Sequence, residues 1–321
     1  MILKSWGRLT FFKTKNNKSI DSKNRMLAIG NLRSYGDQAF GHYVNLTSQN
    51  NRILTFNKDT GILTCESGLL INDLCDIIHK QGFILPVVPG SGFVSIGGAV
   101  SNDVHGKSHH SNGSFANHII KLLVSYKGKE LNCSKSINKE LFKSVVGGMG
   151  LIGEIRSVTL RLKKSNEIDY LVESIPYKTL DDFFSLSEKS DNFSDTVAWF
   201  DCMSKNYKGV FYRANLVKTS TRKKVKKNTI KYPFSHSFSL INKKTITLFN
   251  TIYYYMHFFK KKKTQSFNDF HHPLDSIKDW NKIYGSKGFY QFQGVIPKHS
   301  SKKGSRELLN KIRESGQGSF L

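Results

Sequence analysis

Residues Pro89 to Phe115 read PGSGFVSIGGAVSNDVHGKSHHSNGSF and hold six glycines, six serines and three histidines between short apolar runs. Glycine reaches positive φ and lets the backbone approach a ligand closely. Successive free N–H groups in such turns form anion-binding concavities. A stretch this polar and glycine-rich cannot be core helix or strand throughout. Loops longer than ~12–15 residues are functional or disordered as a rule, and Phe93, Val94, Ile96, Ala99 and Val104 argue for order. The expectation is an ordered segment that wraps a large polar ligand.

A chain of 321 residues has room for two domains. Its hydrophobic content of 38% is enough for globular cores. The net charge of +25 calls for an anionic partner, whether nucleic acid, a membrane surface or a phosphorylated substrate, although part of it reflects a chain rich in Lys and Asn throughout. Cys65, Cys75, Cys133 and Cys202 show no C-x-x-C spacing, which favours buried thiols in a reducing compartment over a disulfide framework or a zinc site. The first residues, MILKSWGRLTFFKTKNNK, lack the apolar run of a secretory signal. No run approaches the ~18 apolar residues of a membrane span.

Met26 to Asp37, MLAIGNLRSYGD, reads as an apolar strand running into a polar turn at Gly30. Val44–Leu46, Arg52–Phe56 and Gly61–Glu66 are strand-like between turn signals. Leu70, Leu74, Ile77 and Ile78 then fall at helical spacing, with Gly82 as a stop and with Cys75 and His79 in core or surface roles. Ile119–Tyr126 reads as a buried strand. VVGGMGLIGEI is a glycine-rich turn, followed by a half-buried strand in which Val158, Leu160 and Leu162 alternate with Thr159 and Arg161. No G-x-G-x-x-G opens a helix, so a Rossmann nicotinamide site is not supported.

Three of these pieces resemble one family. The run GGA, D-x-HGK-x-HHS and GSF-x-NH, in that order between Gly97 and His118, resembles the flavin loop of the vanillyl-alcohol-oxidase (PCMH-type) FAD oxidoreductases, and within them the decaprenylphosphoryl-β-D-ribose 2-oxidases. Arg33-Ser34-Tyr35-Gly36-Asp37 resembles their first FAD loop, and the turn before Glu154 their GG-x-GL-x-G segment. Leu32 departs from the glycine usual there, and Arg33 stands where covalent members often carry histidine.

The resemblance implies an α+β fold: a two-subdomain FAD-binding domain over 1–163, and an α+β substrate domain over 164–321. It implies non-covalent FAD, contacted by Gly30, Asn31, Leu32, Arg33, Ser34, Tyr35, Gly36, Pro89, Gly90, Ser91, Ser95, Gly97, Gly98, Asn102, Asp103, His105, Gly106, His110, Gly113, Gly153 and Ile155. His105 and Lys107 are the expected catalytic pair, since a histidine can donate to a flavin or substrate oxygen and a lysine neutralises a phosphate as a point charge. His109 and His110 order the loop rather than bind metal, as no carboxylate or cysteine completes a ligand set.

Ala198-Trp199-Phe200-Asp201, FNDFHHPLD from Phe267, Asp279-Trp280-Asn281 and GFYQFQGVIP from Gly288 continue the resemblance. The last, as a strand, sends Tyr290 and Phe292 to one side and Gln291 and Gln293 to the other. A helix over Ser305–Ser315 puts Leu308, Leu309 and Ile312 on one face, and Gln317–Leu321 begins a strand that continues in the family. The expectation is therefore a C-terminally truncated chain with an incomplete substrate domain, prone to aggregate and slow to turn over. Lys218 to Lys263 fits poorly: basic clusters at Arg222–Lys227 and Lys260–Lys263 flank TLFNTIYYYMHFF. Three readings of it stand: an interfacial lid over a lipid-linked substrate, a buried helix, or a nucleic-acid arm without a reader motif.

The function so implied is oxidation of the 2-hydroxyl of a polyprenyl-phosphoryl pentose to the 2-keto sugar, the first half of an epimerisation in cell-envelope polysaccharide synthesis. A short-chain reductase is the expected partner and nucleic acid is not. The expected place is the cytoplasm, on the anionic inner face of the cell membrane. The alternatives are oxidation of a soluble aldonolactone or sugar alcohol, an inactive FAD-binding fragment, or a basic membrane- or nucleic-acid-binding protein.

Overall fold

The structure, a computed structural model, describes residues 2–4, 6, 11–13, 15–16, 26–218, 230–234, 237–258, 262–286 and 288–316. The chain divides into two compact units. The first comprises Met1–Ile168, Lys218–Thr229 and Phe267–Ser276. The second comprises Asp169–Val217, Ile230–Ser266 and Ile277–Leu321. Both mix helices with sheets, so the chain is α+β.

In the first unit, β1 (Met26–Ile29) and β2 (Tyr43–Leu46) pair in parallel, with Lys15–Asn16 on the other edge of β2. A five-stranded antiparallel sheet follows, built from β3 (Ile53–Asn57), β4 (Ile62–Glu66), β5 (Ile119–Tyr126), β6 (Lys129–Cys133) and β7 (Glu154–Arg161). Its order is β6-β5-β7-β4-β3. Alternation decides its faces: Leu63, Cys65, Leu122, Val124, Val158 and Leu160 are buried, while Arg161 is exposed. Thr159 sits opposite Thr64 in register, and their hydroxyls meet at 3.0 Å.

Helix α1 (Ile71–Ile78) buries Ile71, Leu74, Cys75 and Ile78, a spacing of i, i+3, i+4, i+7. The Ile and Leu side chains each contribute about 1.5–3 kcal/mol by leaving water. The expected face is thereby corrected: Ile77 is exposed and Leu70 only precedes the helix, because the stripe is centred on Ile71 and Cys75. Gly82, at φ 78°, ends the turn that follows. All four cysteines are free and buried, and burial pushes the Cys65 thiol up to about 12.

The second unit is an antiparallel sheet of β8 (Asp169–Tyr177), β9 (Asp195–Phe200), β10 (Gly209–Val217) and β11 (Lys262–Gln265), ordered β9-β10-β8-β11. Helix α5 (Leu180–Glu188) starts at a capping box in which Thr179 and Asp182 satisfy each other's backbone N–H. Its Leu180 and Phe184 pack with Cys202, Tyr207 and Leu309. Helix α6 (Lys243–Met256) is capped by Asn242 with Thr245, and α7 (Ser301–Glu314) buries Leu309 and rests Ile312 on the same cluster. Leu308 is exposed on α7, off the face the spacing predicts.

GFYQFQGVIP is not a strand. Among the described residues Phe289–Pro297 pairs with no strand, and Tyr290 is fully exposed. Alternation prepares the two faces of a strand, but only a neighbour's N–H and C=O groups make it one. The strand expected from Gln317 and the Arg222–Lys227 cluster lie outside the described residues.

Candidate functional site

The loop after β1 turns through Leu32 at φ 52° and Gly36 at φ 66°. Among the described residues, no protein acceptor takes the backbone N–H of Asn31, Ser34 or Gly36. This loop is tied to the glycine-rich stretch. The Asn31 amide donates to the Phe93 carbonyl at 2.9 Å, and the Arg33 guanidinium lies 4.9 Å from the Phe93 ring centroid. A Cβ on Gly30 would stand 2.3 Å from the Ser95 Oγ, so only glycine admits this closeness. Tyr35 stands beside Trp6, ring to ring at 4.9 Å, and burial raises its hydroxyl pKa.

The glycine-rich stretch is more regular than its composition implies. Ser95 caps helix α2 (Ile96–Ser101), its hydroxyl accepting from the Gly98 N–H, and Ile96, Ala99 and Val100 are buried. Gly97 is needed because a Cβ there would meet Ser67, which supports α2 from below. Helix α3 (His109–Asn112) carries His110 and ends at Gly113, φ 67°. The Asn102 amide donates to the Gly98 carbonyl, and the Asp103 carboxylate accepts from the Ala116 N–H at 2.9 Å. These two side chains fix the fold of the stretch. Gly106 passes so close to the Val88 carbonyl that a Cβ would lie 2.1 Å from its oxygen.

Pro89 is buried, whereas Gly90 is exposed and a Cβ built on it meets nothing within 4 Å. The next two residues are clamped from far along the chain. Ser91 Oγ donates to one Asp275 oxygen at 2.8 Å, and the Gly92 N–H to the other at 2.8 Å. Lys107 is placed by the same segment: its ammonium donates to the His271 carbonyl at 3.4 Å and lies 5.1 Å from the Phe270 ring centroid. His105 is exposed, with its ring against His109. Partial burial and His109 hold its pKa below the ordinary histidine value, against the pull of Asp103.

The turn before β7 joins the same assembly. The N–H groups of Gly147 and Met149 donate to the carbonyls of Val100 and Ser101 at the end of α2. Gly153 packs on the Ser125 carbonyl of β5, and Ile155 buries its side chain in the sheet. The structure thus brings the loop from Gly30 to Gly36, the stretch from Pro89 to Gly113 and the turn before β7 together around α2. Phe93, Asp275, Phe270 and His271 belong to this constellation, and the sequence marked none of them as a site residue. FNDFHHPLD carried the resemblance, but a partner 184 residues away leaves no local periodicity to find.

Among the described residues, the open N–H groups of Asn31, Ser34 and Gly36, within one tight loop, fit the diphosphate of a dinucleotide cofactor. Residues 20–134 match the FAD binding domain family. The decaprenylphosphoryl-beta-D-ribose oxidase of Mycolicibacterium smegmatis is 31% identical over 315 residues, covering 92% of this chain and 68% of that protein. The L-gulonolactone oxidase of Mus musculus is 28% identical over 152 residues, 47% of this chain and 34% of that protein. The D-lactate dehydrogenase of Anaerostipes hadrus is 28% identical over 149 residues, 44% of this chain and 31% of that protein.

Fold and site therefore define an FAD-dependent oxidoreductase acting on CH–OH groups. The chain belongs to the PCMH-type FAD-binding oxidoreductases, the family that includes decaprenylphosphoryl-beta-D-ribose oxidase and other flavin-dependent CH–OH oxidases. Its cofactor is FAD, held without a covalent link; Arg33 offers the flavin no imidazole to tether it.

Proposed function

We propose that the chain oxidises the 2-hydroxyl of a polyprenyl-phosphoryl pentose to the 2-keto sugar, the first half of an epimerisation in cell-envelope polysaccharide synthesis. The observation that carries this reading is the extent of likeness: similarity to the mycobacterial ribose oxidase spans 92% of the chain, far beyond the FAD-binding region. We take residues 1–163 as the FAD-binding domain and 164–321 as the substrate domain, with 267–276 returning to support the flavin loop.

Bound FAD supplies the two-electron acceptor for the C2–H bond. The protein does the rest. The loop over Gly30–Gly36, with Gly90, holds the diphosphate, while Ser91 on Asp275 and the capped start of α2 keep the neighbouring backbone in place. Gly153 and Ile155 offer backbone on the adenine side. Lys107, steadied on the His271 carbonyl, keeps its ammonium for the sugar phosphate. His105, neutral at pH 7 because its pKa is depressed, has a ring nitrogen free of a proton to take the hydroxyl hydrogen. The keto product is the substrate class of a short-chain reductase, the expected partner. A lipid-linked substrate and a net charge of +25 support peripheral work at the anionic inner face of the cell membrane.

Borodeuteride trapping of the product tests the regiochemistry. Incubation with a prenyl-phosphoryl ribose, then reduction, is expected to leave deuterium at C2 in both ribo and arabino epimers. Deuterium elsewhere, or turnover of L-gulono-1,4-lactone with none of the lipid-linked sugar, contradicts the reading in favour of the soluble-substrate one.

A further inference from the structure

Helix α6 has two faces. Ile246, Asn250, Tyr253, Tyr254 and His257 follow helical spacing toward the sheet of their own unit. The Asn250 amide donates to Asp201 at 2.8 Å, Tyr254 to the Tyr177 carbonyl, and Tyr253 exchanges a 2.6 Å hydrogen bond with Tyr212. The opposite stripe is Leu248, Ile252, Tyr255 and Met256, spaced i, i+4, i+7, i+8, and it is 63%, 52%, 57% and 63% exposed. Four large apolar side chains in a row on one exposed helix face are a patch in need of a partner.

The surrounding charge says which partner. Between Asp201 and Asp269 the sequence has no Asp or Glu and 16 Lys or Arg. Lys243 and Lys244 open the helix and are exposed, Lys260 to Lys263 follow it in sequence, and Lys208 lies 5.6 Å from the ring centroid of Tyr255 in the stripe itself. A second copy would bring like charges together around the patch. Nucleic acid would leave Leu248, Ile252 and Met256 against phosphate. An anionic bilayer satisfies both parts, taking the apolar stripe at the acyl boundary and the lysines among its headgroups. At 14 residues α6 is about 21 Å long, too short to cross a ~30 Å core, so it lies in the interface plane.

We infer that the Leu248–Ile252–Tyr255–Met256 face of α6 is a membrane-docking element that inserts into the surface of an anionic bilayer. The inference deepens the proposed function by naming the surface through which a lipid-linked substrate is met. Its test needs no substrate, so its failure is distinct from failure of that reading.

Co-sedimentation of the 321-residue holoprotein with phosphatidylglycerol or phosphatidylcholine vesicles decides it. Binding is expected to phosphatidylglycerol only, and to weaken steeply with salt. L248E/I252E is expected to bind at least tenfold more weakly while keeping its flavin spectrum, which reports a folded protein. K243Q/K244Q is expected to lose about 25-fold, from about fivefold per lysine. Equal binding by L248E/I252E overturns the inference. So do equal binding to phosphatidylcholine, and a concentration-dependent dimer or duplex-DNA complex with no vesicle binding.

Discussion

Asp275 does for the glycine-rich stretch what no residue near that stretch in sequence does. Both carboxylate oxygens are engaged, one by the Ser91 hydroxyl and one by the Gly92 N–H, and so the backbone beside Gly90 is held in one conformation. Hydrogen bonds to a charged acceptor contribute about 1.5–3 kcal/mol each. Asp275→Ala removes both and is expected to raise the Kd for FAD by about 10- to 100-fold, since each ~1.4 kcal/mol is a factor of ten. Asp275→Asn, which keeps an acceptor oxygen, is expected to fall between. Fluorescence titration of the apoprotein with FAD measures this, and unchanged affinity in Asp275→Ala would show that the clamp is dispensable. The sequence named Ser91 and gave no sign of its partner, because a hydrogen bond across 184 residues has no signature in one chain.

Among the elements, the short helix Phe267–His271 carries the most chemistry for its size. Phe267 packs on the His79 ring at 4.7 Å, Phe270 faces Lys107, and the His271 carbonyl takes the Lys107 ammonium. His271 is buried, and burial first, then Lys107, His272 and His79, holds its pKa well below the ordinary value near 6.5. Below 6.5 the unfolded chain binds a proton that the folded chain refuses, so stability falls as pH drops from 6.5 toward the depressed folded value. The slope approaches about 1.4 kcal/mol per pH unit for this one group. Thermal melts from pH 7 to pH 5 are expected to show a shallower loss for His271→Gln than for the unmodified protein. Parallel curves would rule His271 out as the source. The other elements were legible to differing degrees. Val158 and Leu160 announced β7 by alternation, although Thr159 between them is buried too and Leu162 lies one residue past its end, whereas α2 was hidden in a run whose glycines read as loop. Gly97 and Gly98 are helical because Ser95 caps them and Ser67 leaves no room for a side chain.

Across the whole molecule, the HGK-x-HHS run falls within the residues that match the FAD binding domain family, and the structure adds what the motif omits: the Phe93 link and the Asp275 clamp. The glycine-rich loops were readable as anion-binding candidates because such backbone demands glycine and serine at fixed places along a short stretch. The second unit was less readable, since alternation in GFYQFQGVIP could not say whether a neighbouring strand exists. Among the described residues no helix is long and apolar enough to cross a membrane. On the proposed function, the flavin of this chain takes its electrons from a lipid-linked pentose. An anaerobic titration tests it most directly. Purified holoprotein, mixed without oxygen with a prenyl-phosphoryl ribose, is expected to lose its visible flavin absorption in proportion to added sugar, and Lys107→Met to keep the flavin but bleach far more slowly. Full bleaching by L-gulono-1,4-lactone or D-lactate, with no change on adding the lipid-linked sugar, would contradict the account.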